Sequence, residues 1–61
     1  MRGAIFTGAG ARIFNDKVYH LAGDAVWKAD ANRMAKAFRR NGFLVRIVRR
    51  KHDYLIYRRQ A

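Results

Sequence analysis

The chain has 61 residues, 51% of them hydrophobic, with fourteen Lys and Arg against four Asp and a formal net charge of +10. A chain this short buries only about 60% of its unfolded surface and, without cysteine, has neither a disulfide nor a thiolate metal site to assist it. Its large apolar side chains are nevertheless numerous enough to predict one small folded domain over residues 1–61. No apolar run approaches the ~20 residues that span a bilayer, and the Gly-rich opening, broken by Arg2 and Thr7, supplies no secretory or Arg-rich transit leader. A cytoplasmic protein without membrane contact is therefore expected.

From Arg2 to Thr7 the chain reads as a short strand carrying Ile5 and Phe6, ended by Gly8-Ala9-Gly10. Arg12-Ile13-Phe14 and Lys17 to Ala22 are β-prone runs joined at Asn15-Asp16, a spacing that fits a tight hairpin. In the second run Val18, His20 and Ala22 alternate with Lys17, Tyr19 and Leu21, and the pattern leaves open which set is buried. Two aromatic-rich strands are expected before the helix.

The helix is predicted from about Ala25 or Ala31 to Asn41, on the propensity of its five alanines. Asp24 or Asp30 is the expected N-cap, and Asn41-Gly42 the expected stop. Trp27, Ala31, Met34, Ala35 and Phe38 fall on one apolar stripe, while Arg33, Lys36, Arg39 and Arg40 lie off it. Past Gly42, Phe43, Val45 and Ile47 share one strand face, and Leu44, Arg46, Val48 and Arg50 share the other. Lys51-His52-Asp53 then turns the chain into a return strand from Tyr54 to Arg59. The predicted fold is a small two-layer α+β domain, β-β-α-β-β, with a mostly antiparallel sheet and one helix on one face.

The charge is uneven. Residues 1–32 hold four cations against three carboxylates, a net of +1, whereas residues 33–61 hold ten against Asp53 alone, a net of +9. Self-repulsion of that size in a small domain is relieved by an anionic partner, which points to DNA or RNA, or else to an acidic protein. The candidate contact set on the C-terminal hairpin is Arg46, Arg49, Arg50, Lys51, Arg58 and Arg59, with Tyr54 and Tyr57 interleaved. Guanidinium groups fork onto phosphates, and tyrosine rings stack on unpaired bases. Arg33, Lys36 and Arg40 form a second row on the helix, continuous with the hairpin only if the helix C-terminus lies beside the turn.

Other chemistry is sparse. Gly8-Ala9-Gly10-Ala11 lacks both the Lys-Ser/Thr of a triphosphate loop and the spacing of a dinucleotide fingerprint. His20 and His52, without cysteine or a carboxylate cluster, give no metal site, and no cofactor is expected. His52, flanked by Lys51 and Asp53, is the one candidate for proton transfer with a ribose hydroxyl. The segment Lys36 to Tyr57 resembles the helix, Asn-Gly-Phe, strand, turn, His, strand portion of the HicA-type mRNA interferase toxins. The matching positions are Asn41, Gly42, Phe43 and His52. That resemblance implies a double-stranded-RNA-binding-like fold and a metal-free RNase with His52 as its catalytic residue. In that family the His follows Gly-Ser, where this chain has Arg50-Lys51; the family also begins with the helix and ends with another. The leading expectation is a nucleic-acid-binding module without catalysis. A small RNase and a protein-interaction or dimerisation module are the alternatives, and monomer and homodimer both remain open.

Overall fold

The computed structural model describes residues 10–61. Four strands, β1 (Ala11–Phe14), β2 (Lys17–Ala25), β3 (Phe43–Arg49) and β4 (Tyr54–Gln60), form one antiparallel sheet in the order β1-β2-β4-β3. Helix α1 (Lys28–Arg40) packs on one face, across β3, β4 and part of β2. This is the expected two-layer β-β-α-β-β arrangement. The predicted strand at Arg2 to Thr7 and the Gly8-Ala9 half of the Gly8-Ala9-Gly10-Ala11 loop lie outside the described residues.

The first hairpin turns on Asn15 and Asp16 alone. Both have positive φ, 51° and 65°, which is the two-residue turn whose twist matches that of paired strands. Asn and Asp tolerate that conformation better than other non-glycine residues, so the short connection holds without glycine. The register then pairs Phe14 with Lys17, Ile13 with Val18 and Arg12 with Tyr19. Strand β2 runs on past Ala22 to Ala25, because an irregularity between Leu21 and Gly23 resets its alternation against β4. At Gly23 the sheet meets the helix, and a Cβ there would overlap the terminal methyl of Met34.

The helix starts later than one of its predicted boundaries and without the predicted cap. Its N-cap position is Trp27, in extended conformation and making no side-chain cap bond, while Asp24 is still paired in β2 and Asp30 sits inside the first turn. Asp30 there complements the helix dipole and pairs with Arg33 at 3.2 Å. Trp27 also leaves the apolar stripe, because the residue before the first helical turn does not follow helical spacing; it is 69% exposed. The stop is as predicted. Asn41 Nδ2 donates to the Ala37 carbonyl at 3.1 Å, and Gly42, at φ 90°, donates its N–H to the Arg39 carbonyl at 3.0 Å.

The core is Ala31 and Ala35 of α1 against Val45 of β3 and Ile56 of β4, ringed by Met34, Phe38, Phe43, Ile47 and Tyr54. Ile56 is fully buried, a placement that contributes about 1.5–3 kcal/mol. On the sheet face away from the helix Phe14 meets Tyr19 and Tyr57 edge-on, with centroids 5.2 and 5.7 Å away. Both tyrosines are buried, so Tyr19 belongs to the covered set of β2 by virtue of this aromatic trio and not of the helix. Because Asp16 pays for a positive φ that glycine adopts freely, Asp16→Gly should raise stability by about 0.5–1 kcal/mol. Urea unfolding at unchanged m-value is the check.

Candidate functional site

Cross-strand register decides which cations share a surface. Residues paired across strands point to the same face, and alternation along each strand does the rest. Arg46 pairs with Tyr57 and Arg59 with Leu44, so both arginines lie on the face away from α1. Arg12 pairs with Tyr19, and Lys17 with Phe14, on the same face. The Arg12 guanidinium carbon is 5.7 Å from the Phe14 ring centroid and that of Arg46 is 5.8 Å from it, although the two arise from opposite edges of the sheet. Phe14 thus collects two cations over a buried tyrosine pair. Asp24 is the one carboxylate that register puts on this face.

Arg12, Lys17 and Phe14 were not in the predicted contact set. The signal for them was present in the Asn15-Asp16 spacing, which fixes the hairpin register, but the alternation alone did not say which face of β2 was open. Arg46 and Arg59 are on this face as part of that set, Arg46 exposed and Arg59 half-buried.

The remaining predicted residues disperse. Arg49 pairs with Tyr54 and faces the helix side, where both line a hollow with Lys28, Asn32 and Ile47. Arg50, Lys51 and His52 are exposed in the β3–β4 turn. Arg58 pairs with His20 and Val45, also on the helix side. Arg33, Lys36 and Arg40 are exposed along the outer surface of α1. That row and the open sheet face lie on opposite sides of the two layers. The helix C-terminus, moreover, adjoins the Phe43–Gln60 end of the hairpin and not its turn. The tyrosines take structural positions: Tyr57 is buried beside Phe14, and Tyr54 is half-buried against the core.

The turn is locked by one ion pair. Arg50 Nε donates to Asp53 Oδ1 at 2.7 Å and Arg50 Nη2 to Oδ2 at 2.9 Å, and the Arg50 N–H donates to the Asp53 carbonyl at 2.8 Å. Hydrogen bonding from Arg50, helped by its charge and that of His52, holds the Asp53 carboxyl below its usual range. The same bond raises Arg50 further. Both Asp53 oxygens therefore accept bonds from Arg50. Among the described residues no group of three or more His, Cys, Asp or Glu gathers as a metal site, and no helix is long and apolar enough to cross a membrane.

Comparison with protein families, characterised proteins and solved structures finds no match. The likeness to the interferase toxins thus rests on the Lys36 to Tyr57 residues alone. The helix, turn and two strands follow in the order it implies, but β1 and β2 precede them and β4 lies inside the sheet.

Because Asp53 is shifted down, the turn lock is complete above the ordinary carboxylate value of about 3.9 and is lost as pH falls through the lowered one. Asp53→Asn should remove that pH dependence and speed amide exchange at Arg50 while leaving the core amides protected. Hydrogen exchange followed by NMR between pH 2 and 6 reads both effects.

Proposed function

We propose that the protein is a nucleic-acid-binding module that meets phosphates with the sheet face opposite the helix and with the adjoining β3–β4 turn. The observation that carries this reading is the convergence of Arg12 and Arg46 on Phe14, with Lys17 and Arg59 on the same face. Guanidinium planes held beside a ring are pre-oriented. They can fork onto backbone oxygens or stack on an unpaired base, at less entropic cost than free side chains. Lys51, beside the Arg50–Asp53 pair, extends the positive surface at the end of the hairpin. The helix row of Arg33, Lys36 and Arg40 cannot reach the same straight duplex and serves a second strand or a bent one. The nucleic acid is DNA or RNA; backbone contact of this kind is indifferent to sequence.

The test is a salt titration against labelled single- and double-stranded DNA and RNA, with product lengths read on a denaturing gel. The logarithm of affinity should fall linearly with the logarithm of salt concentration, and Arg12→Gln with Arg46→Gln should flatten a duplex slope by about 2. Negligible binding at low salt sinks the reading. RNA shortened by the wild type but not by His52→Ala would replace it with the nuclease.

A second reading, self-association, is favoured by one observation. Val26 and Trp27, consecutive in the β2–α1 connection, stand 64% and 69% exposed, where a second copy would cover them. In a dimer that uses this patch, Trp27 emission should shift to the blue as protein concentration rises; emission independent of concentration removes it.

A further inference from the structure

Arg58 is a cation without a counter-ion. Its guanidinium carbon lies 4.4 Å from the Phe43 ring centroid and 4.9 Å from that of Phe38, two rings that meet edge to face at 6.3 Å. The side chain is half-buried. Among the described residues no carboxylate reaches it: Asp30 is paired with Arg33, Asp53 with Arg50, Asp16 lies in the hairpin turn, and Asp24 is on the other sheet face. Ring faces hold the charge in place but accept no N–H bonds of ordinary strength, so the planar edge of the fork is left for an external acceptor.

The space beside it suits one. The floor there is made of helix-side positions at and beyond the edge of α1: Val18 and His20 on β2, Arg58 and Gln60 on β4, and Phe43 on β3. With Arg59 at the rim these residues line a hollow of about 520 Å³, within the range of small-molecule sites. His20 lies directly across from Arg58, and Gln60 follows two residues on along the same strand face, so both can add donors around an oxyanion. Val18 is shared with a second, apolar hollow of about 340 Å³ lined by Ala11, Arg12 and Ile13. Ile13 and Val18, paired across β1 and β2, are 67% and 47% exposed. One end of the groove is thus cationic and rich in donors, and the other is apolar.

We propose that this groove binds a nucleoside monophosphate, free or at the end of a strand, with the phosphate monoester on Arg58, His20 and Gln60 and the base laid on Val18 and Ile13. A dianionic terminal phosphate answers a pinned, unpaired guanidinium, and a flat ring answers the paired aliphatic side chains. The choice of a nucleoside as the body of the ligand rests on the nucleic-acid reading above; the phosphate site does not.

The experiment is a titration of the full chain followed by amide NMR, with 5′-AMP, adenosine and inorganic phosphate as probes. A tetranucleotide with and without a 5′-phosphate completes the set. Binding of 5′-AMP should move the Val18, His20, Phe43 and Gln60 amides together, at least tenfold more tightly than adenosine, and Arg58→Gln should weaken it at least tenfold. Shifts by the 5′-phosphorylated tetranucleotide equal to those by 5′-AMP assign a strand end, and shifts by 5′-AMP alone assign the free nucleotide; either supports the site. Binding by inorganic phosphate as tight as by 5′-AMP keeps the anion site but overturns the nucleoside assignment. Adenosine binding as tightly as 5′-AMP, or shifts spread over the whole basic surface and unchanged in Arg58→Gln, overturns the proposal. Should Arg58→Gln lose its fold, Arg58→Lys, which keeps charge but not the planar fork, and the exposed Gln60→Ala carry the test, each with a loss of about threefold or more expected. Lys17→Gln with Arg46→Gln, both on the far face and outside the two hollows, should leave 5′-AMP binding unchanged while lowering the salt slope for nucleic acid, so failure of one site is not mistaken for failure of the other.

Discussion

Everything in this small molecule depends on how closely one helix can approach one sheet. Ala31 and Ala35 are the two helix residues with essentially no exposure, and they set that distance. With methyl groups at the contact, the helix settles low enough for Val45 and Ile56 to be covered by so short an element. Larger residues there would lift α1 and open the core to water. The close approach also explains Gly23, whose missing side chain leaves room for Met34 where β2 bends under the helix. Without cysteine the chain has no disulfide to hold it, and the ion pairs among the described residues lie at the surface and contribute little.

Close docking has a lateral limit. The helix covers β3, β4 and part of β2, and the remainder of the sheet must manage otherwise. On the far face the solution is aromatic: Phe14, Tyr19 and Tyr57 bury one another edge to face, and the arginines beside Phe14 cover the ring with their own planes. On the near face, beyond the helix, no comparable cover exists among the described residues. There Val18 lines one hollow with Arg58, and both it and its partner Ile13 stay exposed. Two chemically different surfaces follow from one short helix, a cationic aromatic one and a groove with a polar and an apolar end.

Most of the fold was legible because its elements have the simplest patterns. The β-branched, apolar run from Phe43 to Arg49, with Phe43, Val45 and Ile47 on one face, gives β3, and Asn41-Gly42 ends the helix as such pairs do. The N-terminus of the helix was not legible, since alanine and aspartate before Lys28 suit a helix as well as they tolerate the end of β2. Pairing with Leu55 and Tyr54 keeps Asp24 and Ala25 extended, and that long-range contact leaves no local trace. For the same reason Trp27 looked like a core residue. The candidate site was legible as a charge imbalance but not as a geometry. Sorting the strand cations onto faces requires knowing that β4 has β2 as its second neighbour beside β3.

That neighbour relation also governs the order of assembly. Strand β4 follows the others in the chain yet lies between β2 and β3. A nascent chain can close the β1–β2 hairpin and wind α1 by local contacts, but the two halves of the sheet have no common partner until β4 leaves the ribosome. Pairing β2 with β4 then spans the whole of α1 and β3, a slow, non-local step. Until it happens, the inner edges of β2 and β3 are both unpaired, and the strong positive charge of the chain opposes their pairing with neighbouring molecules.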